Sequence, residues 1–129
     1  MESNLEKKFV ETAHGKICYF SHIVSPDKPT VLLLHGLSSN HSTWEGMMGK
    51  FAEAGINTIA PDLRGHGFSD KTRRRSLYAI SKAKYDLEAI LKQENIPSTH
   101  VVGYSWGGFI GMDMAITMPS RVKTLVLVS

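Results

Sequence analysis

The stretch Gly103-Tyr104-Ser105-Trp106-Gly107-Gly108 sets a serine hydroxyl among glycines where an apolar strand pattern ends and a helical pattern begins. A serine at such a turn is pushed above the sheet, and its natural chemistry is nucleophilic attack through Oγ. Gly103 and Gly107 are expected to be required, because a side chain at either would collide with the neighbouring strand or helix. The helix N-terminus behind Ser105 also favours negative charge developing nearby. An ordinary Gly-Ser turn is written with the same letters, so the chemical reading rests on the strand-to-helix position.

Acyl transfer needs two converging donors for an oxyanion, and a second segment can help to supply them. His35-Gly36-Leu37-Ser38-Ser39 follows an apolar strand pattern directly. The backbone N–H groups of Leu37 and Trp106 are the candidate pair, with Gly36 allowing close approach and His35 supporting the loop. The plainer alternative is that His35-Gly36 merely ends a strand. A third segment, Pro61-Asp62-Leu63-Arg64-Gly65-His66-Gly67-Phe68-Ser69-Asp70, offers an acid, a base and a cation. Its preferred reading is scaffold, with Asp62 and Arg64 pairing charges or bonding backbone in a rigid, irregular loop. Direct catalysis is the alternative.

These segments need elements to hold them, and the pattern supplies strands and helices in alternation. Residues 7 to 23 read as two extended segments joined near His14-Gly15, an antiparallel hairpin. Thr30 to His35 is apolar without alternation, as a strand covered on both faces requires. Ser42 and Glu45 can form a capping box for a helix whose Trp44, Met47, Met48, Phe51 and Ala52 share a face, and these Met and Trp side chains read as core before pocket. Gly55 can end it, and Ile56 to Ala60 resumes a strand. The next helix occupies about residues 76 to 94, carries Ile80, Ala83, Leu87, Ile90 and Leu91 on one face, and stops at Asn95 and Pro97. A strand at His100 to Tyr104, a helix from Trp106 to Met118 and a buried strand at Val122 to Val128 complete the series. The expected fold is α/β: a doubly wound, mostly parallel sheet with an N-terminal antiparallel hairpin.

The 129 residues, 42% of them apolar, suit one domain. Met1 to Lys8 is charged and leads into no long apolar stretch, and the densest apolar runs fall far short of the ~20 residues that span a bilayer. A cytoplasmic protein without a membrane segment is expected. Cys18 is the only cysteine, which excludes an internal disulfide and a two-cysteine metal site. No metal and no organic cofactor is implied. The net charge is +3, and Lys71, Arg73, Arg74 and Arg75 cluster, yet no aromatic platform or nucleic-acid motif accompanies them. A solvated loop is the expected reading, and a polyanion contact is the weaker one.

Taken in order, the three loop segments resemble the α/β-hydrolase superfamily. The likeness covers essentially the whole chain and matches that family's N-terminal portion. It implies that Ser105 is the nucleophile, that Leu37 and Trp106 give oxyanion-hole amides, and that a later carboxylate and a later histidine complete a triad. Serine at the elbow is similar to the esterase, lipase, thioesterase and carbon-carbon hydrolase branches. Haloalkane dehalogenase and epoxide hydrolase relatives usually carry aspartate there. The family's chain order is nucleophile, acid, histidine. No histidine follows His100 in this sequence, and Asp113 falls on the helix that starts at the elbow. Of the earlier histidines, His14 and His22 belong to the hairpin and His100 to the opposite edge of the sheet, leaving His35, His41 and His66 as candidate substitutes. Each still needs hydrogen-bond reach to the serine and an orienting partner.

The last strand pattern, Leu125-Val126-Leu127-Val128, calls for cover on both faces and is followed by no helix, so a truncated α/β-hydrolase core over residues 1–129 is expected. A complementary chain or self-association through that strand can supply the cover. Two functions compete: a serine hydrolase of small acyl substrates, incomplete as an isolated chain, and a non-catalytic fragment or assembly subunit that keeps the fold.

Overall fold

The computed structural model describes residues 5–129; Met1 to Asn4 of the charged start lie outside the described residues. Six strands and three α-helices follow one another as β1 (Glu6–Thr12), β2 (Gly15–His22), β3 (Thr30–Leu34), α1 (Glu45–Glu53), β4 (Asn57–Pro61), α2 (Ile80–Gln93), β5 (Thr99–Tyr104), α3 (Trp106–Thr117) and β6 (Val122–Val128). Short 3-10 turns at His41–Trp44 and Arg75–Tyr78 precede α1 and α2. The strands form one sheet in the order β1-β2-β4-β3-β5-β6. β1 and β2 form the antiparallel hairpin, β2 runs antiparallel to β4, and the β4-β3-β5-β6 block is parallel.

Because side chains alternate along a strand, β3 serves two cores at once. Leu32 and Leu34 face α2 and α3 with Ile59, Leu87, Ile90, Leu91, Val101, Ile110 and Met114, whereas Val31 and Leu33 pack with Trp44, Met48 and Ala60 beneath α1. Helices therefore cover both faces, which explains why the strand is apolar without alternation. The chain leaves β3 toward β4 on one side and returns to β5 on the other. The carboxyl ends of β3 and β5 thus flank a topological switch point, where open α/β sheets bind ligands. His35-Gly36-Leu37 and Ser105 follow those two strands.

Several local expectations change. The Ser42–Glu45 capping box does not form; the Asn40 side chain instead accepts the Ser42 N–H, and a 3-10 turn leads into α1. α1 begins at Glu45; Met47 faces outward, 45% exposed, while Trp44 and Met48 stay in the core. α2 begins at Ile80 because Arg75–Tyr78 is wound as a separate turn, with Ala79 extended between the two. β6 is less covered than its pattern predicts: Val126 and Leu127 are 52% and 54% exposed, since it lies at the end of the sheet order and α3 covers only part of it. Among the described residues, no helix is long and apolar enough to cross a membrane.

Candidate active site

Ser105 sits between β5 and α3 with φ 52° and ψ −111°, one of three non-glycine residues with positive φ among the described residues. Such a conformation costs about 1–3 kcal/mol and persists only where the surroundings enforce it. Here they do. The Ser105 N–H donates to the Val128 carbonyl of β6, while the Ser105 carbonyl accepts from the N–H groups of Gly108 and Phe109 in the first turn of α3. A Cβ on Gly103 would lie 2.5 Å from the Gly107 carbonyl oxygen, and one on Gly107 would lie 2.4 Å from the Leu34 oxygen. The two glycines let α3 press its N-terminus onto β5 and β3, as the sequence predicted. Ser105 itself is exposed, and its hydroxyl has no hydrogen-bond partner among the described residues.

The loop after β3 approaches the same edge. Gly36 is buried, and a Cβ there would stand 3.0 Å from the Tyr104 ring, close enough that the ring would have to shift. Leu37 is exposed, and neither its N–H nor that of Trp106 donates to a described residue. Both residues line one cavity of about 220 Å³, together with Leu63, His66, Leu77 and Ile110. The structure thus brings Leu37 and Trp106 to one mainly apolar cavity, whose lining does not include Ser105.

The three candidate histidines are engaged elsewhere. His35 is fully buried, its Nδ1 2.7 Å from the Gly36 carbonyl and its Nε2 accepting the Leu63 N–H at 3.0 Å. Burial pushes its pKa down, against the opposing pull of that carbonyl. His66 accepts the Ser38 N–H at Nε2 and reaches the Arg64 carbonyl through Nδ1. His41 stacks on Phe20 with ring centres 3.7 Å apart, and its Nδ1 lies 2.8 Å from Asp62. None hydrogen-bonds Ser105.

The loop after β4 explains its own motif. Asp62 is fully buried, and its carboxylate accepts the N–H groups of His41 and Phe68. Gly67 leaves the room this carboxylate occupies. Ser69 Oγ accepts the Cys18 N–H and donates to the Asp62 carbonyl. Arg64 pairs with Asp86 of α2 and not with Asp62; it also donates to the His14 carbonyl and Thr12 Oγ1, tying hairpin, loop and helix together. Burial raises the Asp86 pKa although Arg64 pulls it the other way. Burial, reinforced by Asp62, pushes the Cys18 thiol up to about 11, so at neutral pH it is no competing nucleophile. Among the described residues no group of three or more His, Cys, Asp or Glu gathers to hold a metal ion.

The α/β-hydrolase fold family model matches residues 29–129. The chain belongs to this family. Within it, the chain is 39% identical over 119 residues to an uncharacterized protein of Mycobacterium tuberculosis, covering 92% of this chain and 33% of that one. It is 38% identical over 103 residues to a putative carbamate hydrolase, RutD, of Variovorax paradoxus, covering 80% and 38%. Epoxide hydrolase A from Mycobacterium thermoresistibile superposes with a TM-score of 0.91 at 25% identity, over 98% of this chain and 39% of that one. This α/β-hydrolase chain spans between a third and two fifths of the length of these three proteins.

Sequence reasoning missed what the histidines do. It weighed His35, His41 and His66 as bases, whereas the structure uses each ring to hold a neighbouring loop or carboxylate. The available signal was their placement in the two connections that follow β3 and β4 on one sheet edge, where backbone N–H groups outside regular structure need acceptors.

Proposed function

We propose that the chain carries the nucleophile half of a serine hydrolase acting on small carboxylic acyl substrates. The carrying observation is Ser105 held at positive φ at the head of α3, its hydroxyl without a partner among the described residues; the N–H groups of Leu37 and Trp106, which also lack one there, support the reading as candidate oxyanion donors. Ser105 Oγ attacks the acyl carbonyl carbon and gives its proton to a base. The carbonyl electrons move onto oxygen, where the two amides receive them. As that pair returns, the bond to the leaving group breaks and the leaving group takes the proton. Water then adds to the acyl-serine and releases the acid.

Serine chemistry separates this reading from that of the epoxide hydrolase relatives. A carboxylate that opens an epoxide forms an ester, which water can cleave at its carbonyl. A serine would form an alkyl ether with no carbonyl to attack, so acyl substrates such as esters, thioesters or carbamates suit this site. Since His35, His41 and His66 are engaged, we assign the base and its orienting acid to a segment outside these 129 residues. Oxyanion donors without a base still give about a thousand-fold acceleration over water. The chain alone should therefore react slowly: a fluorophosphonate probe labels Ser105 over hours, mapped by mass spectrometry, and a short activated ester shows little turnover. Equal labelling of the Ser105→Ala variant would overturn the nucleophile assignment. Rapid ester turnover lost in that variant would place a base within the chain.

A second reading, an assembly subunit without chemistry, draws on the exposed apolar side chains Phe109 and Ile116 of α3 and Val126 and Leu127 of β6. Refusal of the probe by a stable, soluble monomer favours that reading.

A further inference from the structure

We propose that His66 and His35 are positioning residues for the Leu37 amide, fixing the peptide units on either side so that its N–H stays free at the crevice; this rests on the serine-hydrolase reading above. The peptide between Gly36 and Leu37 is trans, so its C=O and N–H point in opposite directions. His35 Nδ1 lies 2.7 Å from the Gly36 carbonyl, which also accepts the Ser39 N–H at 3.2 Å. Pinning that oxygen inward turns the Leu37 N–H outward. On the other side, Ser38 holds φ 64°, and its N–H donates to His66 Nε2 at 3.0 Å.

The partners define one protonation state for each ring. The carbonyls of Gly36 and Arg64 can only accept, so the Nδ1 atoms of His35 and His66 carry the protons. The N–H groups of Leu63 and Ser38 can only donate, so each Nε2 must offer its lone pair. An imidazolium has no lone pair to offer. Both rings therefore work as neutral Nδ1–H tautomers, packed edge to face with centres 5.0 Å apart. Asp62 from the loop after β4 and His41 from the turn before α1 act on His35, and Arg64 and Tyr78 line the cavity with His66. Asp62 is committed to His41 and the Phe68 amide, and Arg64 to Asp86. Neither supplies a replacement acceptor for Ser38. Burial favours the neutral form of His35.

Nitrogen-15 NMR on the whole chain tests the arrangement without any turnover. A scalar coupling between the Ser38 amide nitrogen and His66 Nε2 should appear while the ring is neutral and vanish as it protonates. The residual dipolar coupling of the Leu37 N–H reports its orientation. It should be kept in His66→Gln, whose amide oxygen can accept the Ser38 N–H, and fall at least about twofold in His66→Ala, with β5 couplings unchanged. Phosphonylation of Ser105 should follow the same order, within about twofold for His66→Gln and about tenfold slower for His66→Ala. Absence of the Ser38–His66 coupling, or a Leu37 orientation indifferent to His66→Ala, overturns the proposal. A Ser105 that never reacts while both couplings are present counts against the serine-hydrolase reading instead.

Discussion

The elbow at Ser105 and the loop after β4 are both irregular, glycine-bearing turns on one edge of the sheet, yet they dispose of their polar groups in opposite ways. In the loop after β4, Asp62, Arg64 and Ser69 are buried and every one is hydrogen-bonded. At the elbow the backbone is held by hydrogen bonds and close packing while the Ser105 hydroxyl has no partner among the described residues. Saturated polar groups make a loop rigid. A free hydroxyl on a strained, rigid backbone is available for reaction, so the contrast separates scaffold from chemistry more sharply than residue type does.

The largest test acts on the packing that creates the contrast. Gly107→Ala sets a Cβ 2.4 Å from the Leu34 oxygen and 2.7 Å from the His35 oxygen, both backbone atoms that cannot rotate away. We expect a loss of about 4 kcal/mol or more in urea denaturation, or no folded protein. Wild-type stability would mean that α3 does not press on β3 as described. Asp62→Ala comes next, at about 3–5 kcal/mol, because it strands the buried N–H of His41 and the part-buried N–H of Phe68 and takes the partner from the buried His41 ring. Should Asp62→Asn unfold normally but stop Ser105 phosphonylation, Asp62 belongs with the chemistry and the contrast fails.

Ser105→Gly probes the other region with the opposite sign. Glycine accepts φ 52° without the strain that serine bears, and relief net of glycine's chain entropy should stabilise the fold by about 1 kcal/mol. Ser105→Ala, which keeps the Cβ, should lie near zero. Thermal unfolding of the two variants side by side measures the difference, and a Ser105→Gly protein less stable than Ser105→Ala would show that the elbow stores no strain.

Much of this was legible in the sequence wherever one physical requirement dominates a segment. Val31 to Leu34 must be apolar throughout because helices cover both faces, and Gly103 and Gly107 must lack side chains because a Cβ there would meet backbone within 3 Å. Asn95 and Gly55, read as helix stops, both take positive φ. Legibility failed where two local solutions compete on nearly equal terms. Ser42 and Asn40 can each cap the turn before α1; Asn40 does so, and the apolar face of α1 runs through Trp44 and Met48 but leaves Met47 outside it. Partners far apart in sequence were also hidden. Nothing near Arg64 announces Asp86, and nothing near Ser38 announces His66, because those pairs exist only once the loops converge.

The smallest effect concerns pH, and its sign follows from His35. Its pKa is pushed below the ordinary 6.5 by burial, so the unfolded chain takes up a proton at a higher pH than the folded one. Above about pH 6.5 both states are neutral at this ring and stability is at its plateau. As pH falls below that value the unfolded state gains protons first, and stability declines until the folded ring protonates too. Protonation there also removes the acceptor for the Leu63 N–H. Asp86, raised by burial, acts with the opposite sign: its contribution is present below about pH 3.8 and is lost as pH rises through its raised folded value. Comparing wild type with His35→Gln isolates the histidine, since Asp86 is common to both. The difference in urea-unfolding free energy should be constant above pH 6.5 and shrink below it. A difference flat from pH 8 to 5 would mean that His35 is not held neutral, and with it would go half of the support for the Leu37 amide.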